Sequence, residues 1–324
     1  VLAGNHSLGD WLVFLGHLSR AQQAALNDLP VLAMPDATTL EQSRTHGMPP
    51  LNPGCRPSAW RDTLRQIVKQ VSADAPSAAQ ETMATLIAAS DDTLESLAEA
   101  LLIGEPTAEQ AAQLPFIAAA LQVTYTKLAS QLEASKLQLL DAHGVCPCCG
   151  SLPVTSVVRL GAAINNLRYL HCSLCNTEWN VPRATCTACD TDKEVALHEI
   201  DGSKGAVRAE TCDACKSYLK IVYQEKDPKV DPVADDLATP ALKRILMDRK
   251  DENRQRRSRL LIQLAAMMTN GKVYALGQQP SIKAQAPSTL ADDLLNYLVT
   301  NIYSKLGYIK VRAADPLAEI RAVL

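Results

Sequence analysis

The chain has 324 residues, a net charge of −3 and a hydrophobic fraction of 47 %, of which aromatic residues supply little. This length allows two or three domains with ordinary apolar cores. The slight negative charge excludes a whole-chain electrostatic attraction to nucleic acid or to an anionic membrane. No apolar run approaches the roughly 18 residues of a spanning helix, and the first 18 residues lack the pattern of a signal peptide. We therefore expect a cytosolic protein, in which paired cysteines indicate metal sites rather than disulfides.

Residues 1–144 are predicted to form a helical domain. Apolar residues near the start recur at the spacing of one helix face, namely Leu8, Trp11, Leu12, Leu15 and Leu18. The Pro-rich stretch 33–57 is predicted to be an ordered connector rather than a helix. A second apolar stripe follows Ser58, at Trp60, Leu64, Ile67, Val68 and Val71. Core packing explains both stripes without any further function.

Helix starts in the rest of this domain are predicted from capping patterns. Ser77 with Gln80, Asp92 with Glu95, and Thr107 with Gln110 each have the spacing of a capping box or an acidic first turn. Pro115 should precede a long helix from about Phe116 to Ala142, and Gly144 should stop it.

At Val145 the sequence changes from helical periods to short β-rich runs separated by turn residues. We predict strands at 154–160, 167–171, 195–200 and 218–223, and helical structure again after Pro228. The fold class is therefore α+β and multidomain, with a mainly helical N-terminal domain, two tandem four-cysteine modules of rubredoxin-like or zinc-ribbon type, and a partly helical C-terminal tail. The expected boundaries are 1–144, 145–184, 185–227 and 228–324.

Four Cys-x-x-Cys pairs lie in the β-rich region, and each cysteine of the first two pairs recurs 40 residues later. This internal duplication fixes the expected pairing. The first predicted metal site is Cys146, Cys149, Cys172 and Cys175; the second is Cys186, Cys189, Cys212 and Cys215. A hairpin of about 20 residues between two such turns brings four sulfurs into a tetrahedron.

Each Cys-x-x-Cys turn also needs a particular backbone. Two intervening residues let one turn place both sulfurs on one metal while its N–H groups stabilise their charge. The residue after the second cysteine often has a left-handed conformation, which Gly150, Asn176 and Asp190 suit well and Lys216 suits least. A thioredoxin-type redox motif is the alternative, but that motif normally occurs once and in a βαβ context.

Four thiolates fit either zinc or a single iron ion. The Cys146–Gly150 turn is like a rubredoxin knuckle and favours iron, with zinc as the alternative. Because four protein ligands leave no open coordination position, both sites are predicted to be structural or one-electron centres, and no catalytic residue is assigned. Cys148 and Cys55 fall outside the duplicated set, and His171 and His198 are interpreted as strand residues rather than ligands.

The sequence resembles the FdhE family of formate dehydrogenase accessory proteins. The blocks that carry the resemblance are Cys146–Pro153, Leu167–Cys172, Cys175–Trp179, Tyr218–Lys229, Val233–Ala238 and, near the N-terminus, His6–Asp10. The likeness covers roughly residues 5 to 240, and no family signature is recognisable after about Leu246.

The resemblance implies a cytosolic, non-enzymatic accessory protein needed for active respiratory formate dehydrogenases, which are exported folded through the twin-arginine route. It implies binding to the catalytic subunit before export, and it associates the eight paired cysteines with iron. It does not identify the docking surface, the oligomeric state or the role of the tail.

Two other functions stay open at this point. The first is a rubredoxin-like protein that transfers single electrons. The second is a zinc ribbon that binds nucleic acid, but the ribbon region 145–223 carries eight Lys or Arg against eight Asp or Glu and so lacks a positive footprint. Membrane insertion is not expected.

Overall fold

A computed structural model describes residues 9–239, apart from 55, 103–105, 108–109, 138–139, 161–165 and 200–203. These residues form seven α-helices and one six-stranded sheet. The helices are α1 Gly9–Asp28, α2 Ala37–Thr45, α3 Ala59–Val71, α4 Ser77–Ala88, α5 Asp91–Leu102, α6 Leu114–Ser130 and α7 Ala234–Ala238. The strands are β1 Pro153–Arg159, β2 Leu167–Cys172, β3 Glu178–Val181, β4 Val195–His198, β5 Val207–Cys212 and β6 Ser217–Tyr223. The predicted α+β organisation, helices first and cysteine modules second, is confirmed.

Helix α6 occupies the centre of the helical domain and is buried along most of its length. It packs against α1, α3 and α5. The predicted apolar stripe of α3 is confirmed, because Trp60, Leu64 and Ile67 are all fully buried. A helix that buries apolar residues on most of its sides, as α6 does, needs neighbours around most of its circumference to be stable in water.

A partly buried carboxylate joins α3 and the residue Arg56 before it to α5. Glu95 accepts hydrogen bonds from Arg56 Nε at 2.7 Å, Arg61 Nη1 at 2.5 Å and Trp60 Nε1 at 2.9 Å. Burial raises the pKa of Glu95, but these hydrogen bonds outweigh it and the net pKa is lowered. The helix start predicted at Asp92 with Glu95 is confirmed, because α5 begins at Asp91. The side chain that caps α5 is Ser90, whose Oγ accepts from the N–H of Thr93.

Two other helix predictions differ from the structure. The Pro-rich connector contains helix α2, whose start is capped by Asp36 accepting from Thr39 N at 2.8 Å. The long helix expected to reach Ala142 ends at Ser130. There the side chain of Gln131 both donates to and accepts from the backbone of Leu32, a distant partner that periodicity along the helix cannot show.

The six strands form one sheet in the order β3-β2-β1-β6-β5-β4. Each module contributes a three-stranded antiparallel unit, and the two units join where β1 pairs with β6 in parallel. These two central strands are buried at six of seven positions each, as expected of strands covered on both faces. The two modules therefore share one sheet and are not separate bodies.

The joint between the modules uses non-equivalent strands. By the 40-residue repeat, β1 corresponds to β4 and β3 corresponds to β6, so the first strand of one unit pairs with the third strand of the other. Such a head-to-tail joint gives the two units different neighbours. Equivalent strands consequently have unequal surroundings.

Among the helices within residues 9–239 that the structure describes, none is long and apolar enough to cross a membrane. The predicted C-terminal tail lies outside the described residues from position 240 onward.

Candidate metal centres

The structure brings the first four predicted cysteines together, and we call this group the first centre. Their sulfurs lie within 4.8 Å of one another. Cys146 Sγ is 3.5 Å from Cys175 Sγ, and Cys149 Sγ is 3.5 Å from Cys172 Sγ. All four side chains are buried.

The second four cysteines also form one group, which we call the second centre, and their sulfurs meet the same 4.8 Å limit. Cys186 Sγ is 3.6 Å from Cys215 Sγ, and Cys189 Sγ is 3.7 Å from Cys212 Sγ. Its surroundings differ, because Cys189 is exposed and Cys215 is half-buried. The second centre is thus partly open to solvent and the first is not.

Both groups have the dimensions of a metal site. A tetrahedral ion with metal–sulfur bonds of about 2.3 Å has sulfur–sulfur edges of roughly 3.8 Å. The four distances above are slightly shorter than this, and none approaches the roughly 2.05 Å of a disulfide bond. Each cluster can therefore hold one metal ion, two in all, and the sulfur set fits zinc and iron alike.

The turns around the cysteines have the predicted backbone. The residue after each pair is left-handed: φ is 75° at Gly150, 57° at Asn176, 59° at Asp190 and 55° at Lys216. The N–H groups of Leu174 and Cys175 lie 3.4 Å from Cys172 Sγ, where they stabilise charge on that sulfur. The prediction holds even for Lys216, the least suitable residue.

The repeat extends to the hydrogen bonds of the turns. Cys146 N donates to Ser151 O at 2.9 Å, and Cys186 N donates to Thr191 O at 2.8 Å, 40 residues later. A hydroxyl also lies beside one sulfur of each centre, with Thr177 Oγ1 3.1 Å from Cys175 Sγ and Ser217 Oγ 2.9 Å from Cys215 Sγ. Hydroxyls so placed can donate to a thiolate.

The helical domain supports the first centre directly. Leu51 N donates to the carbonyl of Cys148 at 2.9 Å, and Gln122 of α6 donates to the carbonyl of Ser173 at 2.7 Å. Asn176 donates to Thr126 Oγ1 of α6 at 2.8 Å. The four cysteines of this centre belong to the same apolar cluster as the helical core.

The remaining candidate residues lie beside the centres without joining them. Cys148 is buried but is not a member of either four-sulfur group, and Cys55 lies outside the described residues. His171 contacts Glu178 and Asn176, and His198 contacts Thr211. Both histidines are partly buried strand residues, in agreement with their interpretation from sequence.

The outer edge of the first module carries a polar cluster around Glu178. Arg159 and His171 both hydrogen bond to this carboxylate. Burial raises the pKa of Glu178, but the hydrogen bonds from His171 and Arg159 outweigh it, so the net pKa is lowered.

Arg168 is a structurally important residue that the sequence did not single out. It is fully buried on β2, and its Nη2 donates to Glu210 Oε1 of β5 at 2.8 Å, across the joint between the modules. Burial raises the pKa of Glu210 although the Arg168 charge acts in the opposite direction. The sequence does show a charged residue within a strand of mostly apolar residues, but it does not show that its partner is the distant Glu210.

Gly144 has a different role from the one expected. It does not stop α6, which ends earlier at Ser130. A methyl group on Gly144 would lie 1.8 Å from the carbonyl oxygen of Thr187, between two cysteines of the second centre. The glycine therefore permits a close approach between the segment that enters the first centre and a turn of the second.

Comparison with known proteins agrees with this architecture. Three family models match consecutive parts of the chain: "FdhE, N-terminal" at residues 1–141, "FdhE, central domain" at 145–183 and "FdhE, C-terminal domain" at 184–261. The chain belongs to the FdhE family. The family is one of formate dehydrogenase accessory proteins, as the resemblance implied.

Individual FdhE proteins support the assignment. An FdhE homolog of Klebsiella pneumoniae is 37 % identical over 74 % of this chain and 78 % of its own length. An FdhE homolog of Yersinia pestis is 39 % identical over 78 % of this chain and 80 % of its own. The crystal structure of the FdhE protein from Pseudomonas aeruginosa matches with a TM-score of 0.68 and 35 % identity, covering 81 % of this chain and 91 % of that one.

The FdhE match reaches further than the sequence blocks indicated. The C-terminal family model continues to residue 261, so the expectation that the family pattern ends after about Leu246 is wrong. A further model, described as the BREX ATP-binding protein BrxC 4th domain with a six-stranded β-sheet, matches 233–298, nearly all of which is outside the described residues.

Proposed function

We propose that this FdhE protein is a cytoplasmic, non-enzymatic maturation factor that binds the catalytic subunit of a respiratory formate dehydrogenase before export. The observation that carries the proposal is the FdhE match across residues 1–261, combined with two four-cysteine groups of metal-site dimensions. No catalytic residue is assigned, because four thiolates per ion leave no position for a reacting water.

The metal ligands in this proposal are the eight clustered cysteines, and iron is favoured over zinc. Support for iron comes from the rubredoxin-like turn at Cys146–Gly150. The residues of the chain orient the sulfurs through N–H groups, the hydroxyls of Thr177 and Ser217, and left-handed turn residues. Metal binding to such sites stabilises the folded state, because the unfolded chain has no preformed site. The ions thereby maintain the surface that the partner contacts.

An anaerobic affinity pull-down from formate-respiring cells tests this function. The wild-type protein should capture a formate dehydrogenase catalytic subunit, identified by mass spectrometry. Cys172→Ser/Cys175→Ser should not, because the first centre would lose two ligands in the common core. Failure of the metal-loaded wild-type protein to capture that subunit would overturn the proposed partner.

A matched control separates ligand loss from a general effect of removing cysteine. Cys148 is buried next to the first centre but is outside the four-sulfur group. We expect Cys148→Ala to keep two metals per chain and to capture the subunit as the wild type does. If it behaves like the double variant, the assignment of the ligands is wrong.

Single-electron transfer is the second candidate function, and the exposure of Cys189 favours it for the second centre. An iron ion bound there would supply one-electron redox chemistry. Cys189, at the surface, would provide the shortest route to an external partner. Reversible reduction of the iron form, together with loss of maturation after zinc substitution, would support this candidate. Full function with zinc would exclude it.

Nucleic-acid binding is the weakest candidate. The ribbon region has balanced charge, and four thiolates around a divalent ion leave a net negative centre. We expect no salt-dependent association with single- or double-stranded DNA or with RNA in a filter-binding assay.

A further inference from the structure

The first turn of the second centre, residues 185–190, contacts residues of the first module as well as those of its own. We call this segment the second-centre knuckle. It begins beside Cys186 and ends at the left-handed Asp190. Three contacts connect it to residues 143–168, which surround or precede ligands of the first centre.

The first contact is a close backbone approach. Gly144, two residues before Cys146, leaves no space for a side chain, because a Cβ atom there would be 1.8 Å from Thr187 O. That distance is far below any real contact. Trp179 of β3 fixes the same segment by donating from Nε1 to the carbonyl of His143 at 2.8 Å.

The second contact is made by Arg168, four residues before Cys172. Its Nη1 donates to the carbonyls of Arg183 and Thr185 at 3.1 Å each, and Thr185 is adjacent to Cys186. Its Nε donates to Ser156 Oγ at 2.7 Å, and its Nη2 pairs with Glu210. A fully buried guanidinium needs an acceptor for each of its N–H groups. The hydrogen bonds to the carbonyls of Arg183 and Thr185 therefore hold both the arginine and this backbone segment in place.

The third contact is at the end of the knuckle. His143 Nδ1 lies 3.5 Å from Asp190 Oδ1. Both side chains are about half exposed, so this pair contributes little by itself. It nevertheless places the end of the knuckle against the same segment that contains Gly144.

The first centre has separate support, because α6 and the segment around Leu51 hold its turns. We propose that the two centres assemble in order: the folded first module, with its centre complete, positions Cys186 and Cys189, and only then can the second centre bind a metal. Gly144 and Arg168 are the positioning residues. The proposal rests on the metal-binding role proposed above.

Thermodynamic linkage makes this coupling reciprocal, so a metal bound in the second centre also raises the metal affinity of the first. Occupancy can still be unequal. The first module retains the helical domain when the second centre is empty, whereas the knuckle loses its support when the first module is disrupted.

Native mass spectrometry of the full chain, reconstituted with one metal under anaerobic conditions, tests the order. The wild type should carry two metals; a wild type without metal would instead overturn the metal-binding role itself. Cys212→Ser/Cys215→Ser should keep one metal, and Cys172→Ser/Cys175→Ser should keep none. One retained metal in the latter variant would overturn the proposed order.

Because the first-centre variant can fail to fold, a second test leaves all eight cysteines intact. Gly144→Ala should reduce the count from two metals to one. Adding Gly144→Ala to Cys212→Ser/Cys215→Ser should leave one metal, which identifies the surviving site as the first centre. Two metals in the single variant, or none in either, would contradict positioning through Gly144.

Gly47→Ala is the matched control. Gly47 has φ of 60°, and nothing lies within 4 Å of the position that a methyl group would take there, so the substitution strains the backbone without a clash. It should keep two metals. If it also loses one, the effect of Gly144→Ala reflects general destabilisation and the proposal fails.

Discussion

The two four-cysteine centres share their spacing, turn conformations and local hydrogen bonds, but not their environment. All four cysteines of the first centre are buried in the apolar cluster of the helical domain. In the second centre Cys189 is exposed and Cys215 is half-buried. The helical domain explains the difference, since α6 and the segment around Leu51 pack against the first centre. A repeated sequence thus specifies the same coordination group twice while its position in the fold decides how firmly each is held.

The largest predicted difference in stability is between the variants Cys149→Ser and Cys189→Ser, which change equivalent cysteines of the two centres. A structural zinc site contributes on the order of 10–16 kcal/mol to folding, against a net stability of about 5–15 kcal/mol for a typical protein. We expect Cys149→Ser to prevent stable folding, whereas Cys189→Ser should stay folded with a lower Tm and one metal. Circular dichroism melts with metal analysis measure both. Equal losses would remove the distinction between the centres.

The sequence alone predicts those features of the two centres that depend on neighbouring residues in the chain. Cysteine spacing and turn residues are local, so the two groups and the left-handed positions, including Lys216, were predictable. The strands β1, β2, β4 and β6 were also anticipated, since they are continuous runs of β-forming residues. The unequal burial of the two centres was not predictable, because it depends on how the helical domain packs against the first centre.

The missed elements have the same cause. Strand β5 contains Arg208 and Glu210, which are not expected in a buried strand. The burial of Glu210 depends on its pairing with Arg168 of the other module. Strand β3, which was also missed, pairs with β2 at the edge of the sheet. Gly144 was interpreted as a helix stop, because its close neighbour Thr187 is distant in sequence.

Arg168 and Arg159 offer the next comparison, because Arg168 pairs with Glu210 of the other module while Arg159 pairs with Glu178 of its own module. Removing one partner of a buried ion pair typically costs about 3–5 kcal/mol, and removing a more exposed one about 0–1 kcal/mol. We expect Arg168→Met to lower the free energy of unfolding in urea by the larger amount and Arg159→Met by the smaller. Arg168→Met/Glu210→Met should recover part of the loss, because no unpaired carboxylate remains. Similar losses for the two single variants would show that the joint is not specially stabilised.

The two centres should release their metals at different rates. A chromogenic chelator added to the loaded wild type should remove one metal at least about tenfold faster than the other, because the exposed centre opens by local fluctuation and the buried one requires larger unfolding. The fast phase should be absent from Cys212→Ser/Cys215→Ser. A single release phase for two metals would show that the exposure of Cys189 has no kinetic consequence.

The helical domain has a pH-dependent contribution to its stability at Glu95. Its folded-state pKa is lowered below the ordinary value, so its contribution is present above about pH 4.5 and is lost as pH falls through the folded-state pKa. Glu95→Gln should lower stability at pH 7 by about 1–2 kcal/mol, since it weakens charge-assisted hydrogen bonds to Arg56 and Arg61. The difference from wild type should shrink below pH 4 in urea unfolding. A constant difference across pH would assign the loss to packing.

The smallest predicted effect concerns the last residue of equivalent turns, Gly150 in the first centre and Lys216 in the second. A non-glycine residue in the left-handed region destabilises the folded state by about 1–2 kcal/mol. Glycine avoids this strain but loses more conformational entropy on folding, which costs roughly 0.5–1 kcal/mol. Lys216→Gly should therefore raise stability slightly, by about 0.5–1 kcal/mol. Gly150→Ala should lower it by more, because its new methyl would also lie 3.1 Å from Pro49 Cγ. Thermal melts of the two loaded variants measure this. A loss in Lys216→Gly would mean that the contacts of the lysine side chain outweigh its backbone strain.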